Sequence, residues 1–295
     1  MKPLSGVLVV DFSRYLPGAF ASRELLELGA RVVCVEPPGG EPMRASAPAW
    51  DAALRAGKES IEVDLKADPS AALELVREAD VVLESFRPGV AARLRIGPDD
   101  VPETTVYCSI TGFGVGNRHE QRVGHDLNYT GWAGALFDTA PALPPVQIAD
   151  LAAGGLTAVT KILAALLERE RTGKGAHIVV SLTHGAHRLV SHRLDENLPR
   201  LLTGDLAYYR IYPTADGRHL TVAALEPAFF GRLVELLGRP ELAARQFDAD
   251  QDALGAELAA ILATRPLAAW LEIFDGEEVC VGPVATVAEA ASDLA

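Results

Sequence analysis

Two short apolar runs joined by a helical pattern open the chain, and few folds accommodate that beginning. Residues 7–10 are continuously apolar, as in a strand covered on both faces. Residues 19–28 carry a helical pattern that stops at Gly29, and residues 31–36 read as a second strand. Two strands joined through a helix make a βαβ unit, which requires a parallel pair and favours an open α/β sheet. The alternation continues with strands expected at 60–65, 81–83 and 105–109 and a helix at 71–78. The clearest helix begins at Asp150, where Leu156, Val159, Leu163 and Leu166 recur at spacings of three and four before Gly173. A strand at 178–182 follows it. Ligands of parallel sheets bind at the carboxyl ends of the strands. Here those ends are the loops at residues 11–17, 36–44, 84–90 and 109–116.

The pattern loosens between residues 195 and 205. Strands at 208–212 and 219–223 then flank the turn Thr214-Ala215-Asp216-Gly217, a hairpin signal. Helices at 228–237, 254–263 and 267–274 and a short strand at 279–281 complete a smaller unit. The expected architecture is a large α/β domain with an open, mostly parallel, Rossmann-like sheet over residues 1–202. A small α+β domain is expected over 203–285, followed by a C-terminal segment at 286–295, with the active site between the domains.

Charge and composition exclude several functions. Forty acidic against 27 basic residues leave a net charge of −13, and no local basic patch offsets it, so no nucleic-acid partner is expected. Cys34, Cys108 and Cys280 are far apart and form no CxxC pair, which argues against disulfides and zinc and fits a cytoplasmic location. The first apolar run is too short for a signal peptide. Residues 151–167 include Lys161 and fall short of the ~20 apolar residues of a membrane span.

Several chemical signatures are incomplete. Glu36 ends the second strand, where an acid can bind a ribose hydroxyl. The first turn, however, reads Asp11-Phe12-Ser13-Arg14-Tyr15-Leu16-Pro17-Gly18 and lacks the GxGxxG that lets a backbone approach a pyrophosphate. No GxxxxGK[ST] occurs either. Of His184, His187 and His192 only the first pair has helical spacing, and no carboxylate or cysteine completes a metal set. Ser181 stands near His184 without a GxSxG elbow. Asp150 by itself reads as a helix N-cap, and His125 by itself as a loop histidine. A carboxylate fixed at a helix start and an imidazole could together pass protons both ways near neutral pH.

The segments PLSGVLVVDFSRYLPGAFASRELLELGARVVCVEPPGGEPMR, RAGKESIEVDLK, ESFRPGV, SITGFG, GHDLNY, VQIADLAAGG, RTGKGAHIVVSL, YYRIYPTADGRHLTVAALEPAFF and CVGPV run in order over nearly the whole chain. Together they resemble the class III CoA-transferase and α-methylacyl-CoA racemase family. The histidine in GHDLNY makes the racemase branch the nearer resemblance. That resemblance implies racemisation at the α-carbon of 2-methylacyl-CoA thioesters, with His125 and Asp150 as the acid/base pair and Glu226 as a carboxylate from the small domain. In the transferase branch the aspartate matching Asp150 is instead a nucleophile, and a CoA-thioester-binding protein without catalysis is a third class. By resemblance Arg87 and Lys58, and less strongly Arg44 and Arg55, meet the CoA phosphates, while Gly124, Asp126 and Tyr129 hold the thioester. No cofactor is implied, since CoA arrives within the substrate. A homodimer, interlocked as in the family, is expected. Pro37 replaces a basic residue found in some racemases, and a C-terminally shortened version of the fold is expected from the end at Ala295.

Overall fold

The computed structural model describes residues 2–193 and 202–294. The chain divides into two units, Met1–Leu194 and Asp195–Ala295. Residues 194–201, part of the stretch where the sequence pattern loosens, lie outside the described residues.

In the first unit β1 (Leu8–Asp11), α1 (Leu16–Glu27) and β2 (Arg31–Glu36) form the expected βαβ unit. There follow α2 (Met43–Ser46), α3 (Pro48–Arg55), β3 (Glu59–Glu62), α4 (Ser70–Glu78), β4 (Val81–Glu84), α5 (Val90–Arg93) and β5 (Val106–Thr111). Next are α6 (Asp126–Trp132), α7 (Thr157–Thr172), β6 (His177–Ser181) and α8 (Leu182–Val190). The six strands pair in parallel in the order β3-β2-β1-β4-β5-β6. β1, β4 and β5 are buried along their whole length, which is why they read as apolar runs rather than alternating ones. One face packs Val9, Val81, Cys108 and Ile110 against Leu25 and Ile162. The other packs Val10, Val33, Val82 and Tyr107 with Val76. The strand order reverses direction between β1 and β4, so the crevice outside their carboxyl ends is where this sheet can admit a ligand.

α7 is entered through wide, π-type turns at Ile148–Leu156, and Gln147 rather than Asp150 stands at the N-cap position. Asp150 is therefore a first-turn residue, not the cap expected from sequence. The 3.6-residue periodicity becomes legible only where α-geometry resumes at Thr157. Gly154 and Gly155 make this segment possible. A Cβ on Gly154 would lie 2.3 Å from Leu182 and one on Gly155 2.6 Å from the Phe20 ring. By length and hydropathy Ile148–Thr172 matches a membrane span, contrary to the sequence estimate. Its Ala149, Ala153, Ala158 and Ile162 are instead buried against the sheet.

The second unit has the antiparallel sheet β7 (Tyr209–Pro213), β8 (His219–Ala223) and β9 (Val281–Pro283). It also has α9 (Pro227–Leu236), α10 (Gln251–Leu262), α11 (Leu267–Phe274) and α12 (Val287–Asp293). The hairpin turns where expected, with Thr214 Oγ1 donating to Asp216 and Gly217 at φ 74°. Leu220, Phe230, Leu258 and Trp270 form its core. The last strand begins two residues later than expected, because Val279 turns into that core and Cys280 adopts φ 49°.

Candidate active site

The turn after β1 is organised by side chains instead of glycines. Asp11 accepts hydrogen bonds from the Ser13 amide (2.8 Å), Ser13 Oγ (2.5 Å) and Ser22 Oγ (2.5 Å). Lys58 Nζ donates to Ser22 Oγ and to the Ala19 carbonyl, both at 2.7 Å. This buried network fixes the next two residues. The Arg14 amide donates to Ser85 Oγ at 2.9 Å, joining the turns that follow β1 and β4 across the crevice. Tyr15 sits at φ 63°, a strained value for a non-glycine residue, and its amide donates to Glu41 Oε1 at 2.9 Å. After β4, the Phe86 amide donates to Glu84 Oε2 at 2.6 Å. Burial pushes the Glu84 carboxyl up to about 7.

His125 stands at the N-terminus of α6, where its amide donates to Asn128 Oδ1 at 3.1 Å. Its ring meets Tyr15 edge-on at 6.0 Å. Tyr129 OH donates to the Gly124 carbonyl at 2.5 Å, and the Tyr129 ring fills the space that a Cβ on Gly112 would need. Burial pushes the Tyr129 hydroxyl up to about 12, with the Asp150 charge adding to it. Asp150 is tied to the same motif because its amide donates to Asp126 Oδ1 at 2.9 Å. Desolvation pushes the Asp150 carboxyl up to about 7, and the like charge of Asp126 acts in the same direction. Asp126→Asn retains an oxygen acceptor and removes that charge, so the Asp150 midpoint is expected to fall from about 7. A carbon-13 NMR titration of the Asp150 carboxyl checks the shift; an unchanged midpoint assigns the whole perturbation to burial.

His125 and Asp150 line a cavity of about 610 Å³ together with Arg14, Tyr15, Arg87 and Arg122. Of the residues singled out in the sequence, Arg87, Gly124, His125, Tyr129 and Asp150 are brought together here. Asp126 lines an adjoining groove. Three cationic candidates are placed elsewhere, and each is already occupied. Lys58 serves the turn network described above. Arg44 pairs with Glu36 (2.9 Å) and Asp51 (3.0 Å). Arg55 pairs with Asp51 (2.6 Å), Glu36 (2.9 Å) and Glu41 (3.4 Å). These three buried carboxylates explain why the arginines turn inward rather than to a ligand. Glu226 belongs to the second unit, exposed at the N-cap position of α9.

Arg14 and Arg122 were missed as site residues. Like Arg87, neither forms an ion pair among the described residues. Arg14 Nε is buried without a hydrogen-bond partner, and burial holds its guanidinium below the ordinary value while Glu41 and Glu36 pull the other way. The Arg122 guanidinium lies 5.2 Å from the centre of the Trp132 ring. The available signal was position: Arg14 lies in the loop at the carboxyl end of β1, and Arg122 stands two residues before Gly124. Among the described residues, three arginines without an ion pair thus line one cavity, a local concentration of positive charge in an otherwise acidic protein.

The family model described as CoA-transferase family III matches residues 4–294. The chain belongs to CoA-transferase family III. It is 34% identical to the human alpha-methylacyl-CoA racemase over 97% of this chain and 78% of that one. It is 33% identical to the acetyl-CoA:oxalate CoA-transferase of Acetobacter aceti over 98% of this chain and 82% of that one. A CaiB/BaiF family protein from Brucella suis has a similar solved structure, with TM-score 0.81 and 30% identity over 99% of this chain and 86% of that one.

Membership in family III makes this an enzyme family acting on acyl-CoA, with racemases and CoA-transferases both among the relatives. The cavity lining combines three arginines with a half-buried carboxyl and an imidazole.

Proposed function

We propose that this family III protein interconverts the two configurations at the α-carbon of 2-methylacyl-CoA thioesters. Proton transfer through a planar enolate inverts the centre, and it needs one acid/base group on each face. The observation that carries this reading is the Asp150 carboxyl, pushed by burial to about 7 beside His125 in one cavity. Near neutrality such a carboxyl is present in both protonation states, so it can take a proton from one enantiomer and return one to the other. Covalent acyl transfer instead calls for a carboxylate nucleophile, and has no need of a second acid/base group. In the proposed direction of reaction His125 removes the α-proton and protonated Asp150 delivers one to the opposite face; the reverse reaction exchanges the roles. Arg14, Arg87 and Arg122 hold the CoA phosphates. Proton transfer requires no electron acceptor, and CoA enters as part of the substrate.

Incubation of 2-methylacyl-CoA enantiomers in deuterated water tests the reading. Deuterium at the α-carbon and loss of optical purity are expected without any acceptor carboxylate. CoA movement that requires an acceptor, with an adduct on Asp150 trapped by hydroxylamine and found by mass analysis, overturns it in favour of transferase chemistry. If neither occurs over a broad panel of acyl chains, a binding protein remains.

A further inference from the structure

Tyr15 adopts φ 63° and ψ −157°, a region of backbone space open to glycine and costly for any residue with a Cβ. The surrounding structure holds it there. Its amide donates to Glu41 Oε1 at 2.9 Å, and buried Glu41 is tied in turn to Arg55 at 3.4 Å. On one side the Arg14 amide is fastened to Ser85 Oγ; on the other Leu16 is buried and Pro17 stands in the first turn of α1. The backbone is thus pinned, while the side chain stays 48% exposed and lines the same cavity as His125 and Asp150. There its ring meets the His125 imidazole with centroids 6.0 Å apart and planes at 89°, the edge-on geometry that aromatic pairs prefer. Among the described residues this is the one ring contact of His125. The His125 backbone is fixed at the start of α6, its amide by Asn128 Oδ1 and its carbonyl by the Asn128 and Tyr129 amides. Those bonds leave the rotamer of the imidazole unspecified.

We propose that Tyr15 is a positioning residue for His125: the strained turn after β1 holds its ring against the imidazole and sets that imidazole for proton transfer. The inference rests on the proposed function, in which His125 serves one face of the enolate. Proton transfer needs the imidazole within hydrogen-bond reach of the α-carbon's proton, and a displacement of about 1 Å costs about 100-fold in rate. An aromatic contact restrains the imidazole by packing and takes no proton from it. The ring, not the hydroxyl, is therefore the part that acts. Asp150 is placed by other means, its amide bonded to Asp126, so loss of the Tyr15 ring should reach one face of the enolate only.

The test uses Tyr15→Phe, Tyr15→Ala and Tyr15→Gly, with α-deuterium incorporation from separated enantiomers of a 2-methylacyl-CoA. Tyr15→Ala is expected to lower kcat for racemisation about 100-fold, with thioester affinity by calorimetry changing much less, and Tyr15→Phe to recover most of that loss. Exchange without inversion should persist for the enantiomer whose α-proton faces Asp150. Tyr15→Gly should lose racemisation as Tyr15→Ala does, yet unfold at a higher urea concentration than the wild type, because glycine relieves the strain. Wild-type racemisation by Tyr15→Ala, equal loss of exchange from both enantiomers, no recovery by Tyr15→Phe, or a lower urea midpoint for Tyr15→Gly overturns the assignment. NMR separates the ring contact from the reaction. If no deuterium enters with the wild type, the proposed function fails. Overhauser contacts between the two rings in the wild type and Tyr15→Phe, with the His125 side chain averaging over rotamers in Tyr15→Ala, then still support the positioning role, and an imidazole held alike in all variants refutes it.

Discussion

His125→Ala and Asp150→Asn are each expected to slow inversion about 10³-fold while retaining α-hydrogen exchange with opposite enantiomers. Each substitution removes the group on one face of the enolate and leaves the other face with its base. The surviving base takes up a proton from one enantiomer and returns a deuteron to the same face, so exchange continues there without change of configuration. Loss of one positioned acid/base group costs about 10²- to 10⁴-fold in the step it serves, so racemisation should fall by about 10³-fold. The two groups arrive from different elements, His125 from the start of α6 and Asp150 from the π-type turns before α7. Asp126 links those elements through the Asp150 amide, which keeps the pair in register when either side chain is changed. The measurement is deuterium incorporation from separated enantiomers, with thioester binding measured independently so that lost affinity is not taken for lost chemistry. Equal loss of exchange from both enantiomers in both variants, with folding and binding intact, would mean that the residues act as one unit on one face. Full racemisation by His125→Ala would remove the case for two bases altogether.

The limb of the pH profile set by Asp150 follows from its direction of shift. Racemisation takes up and returns one proton, so its equilibrium does not depend on pH and kcat/KM in both directions must follow one profile. The active pair holds one transferable proton, and above about pH 7 Asp150 increasingly lacks it. Measured from separated enantiomers, kcat/KM should therefore fall in parallel for both as pH rises through that midpoint.

What sequence could reveal depended on whether a residue's neighbours lay nearby in the chain. The parallel sheet was legible because β1, β4 and β5 are buried on both faces and their apolar runs have no polar alternative. β3 was placed one residue late at its start because an edge strand with the pattern Glu59-Ser60-Ile61-Glu62 exposes most of its side chains. The seven-residue α6 was not anticipated, since a helix so short shows no repeat and Gly131 weakens what pattern remains. His125 and Asp150 were found through family resemblance, whereas the cations were partly misassigned. Lys58, Arg44 and Arg55 look like free charges in sequence. Asp51 stands one helical turn before Arg55 in α3 and is a local partner, but Ser22, Glu36 and Glu41 become visible as partners only when α1, β2 and the segment after β2 are packed together.

That packing separates affinity from stability. Arg14→Ala and Arg87→Ala should each weaken CoA binding by about 10- to 100-fold, the range for losing a hydrogen bond to a charged group. The Arg14 effect should be the less salt-sensitive of the two, because its Nε is buried while exposed charges are screened. Arg55→Ala should leave CoA affinity unchanged and lower stability by about 3 kcal/mol, since it strips one partner from buried Glu36, Asp51 and Glu41. Glu36 and Asp51 are both held below the usual carboxylate range. Burial pushes each of them upward, but hydrogen bonds outweigh it, from Ser60 and Arg44 to Glu36 and from Arg55 and Arg44 to Asp51, with the arginine charges adding to these. Carboxylates with depressed values contribute stability above their unfolded-state values, and that stability is lost as pH falls through the folded ones. The wild type should consequently lose more stability on acidification than Arg55→Ala, and the difference between the two should shrink toward low pH. Calorimetric titration with CoA at two salt concentrations, alongside urea unfolding at several pH values, reads both effects. If Arg55→Ala weakens CoA binding as much as Arg14→Ala while its unfolding curve stays in place, the ion-pair cluster is part of the ligand site and the division between the two sets of arginines is wrong.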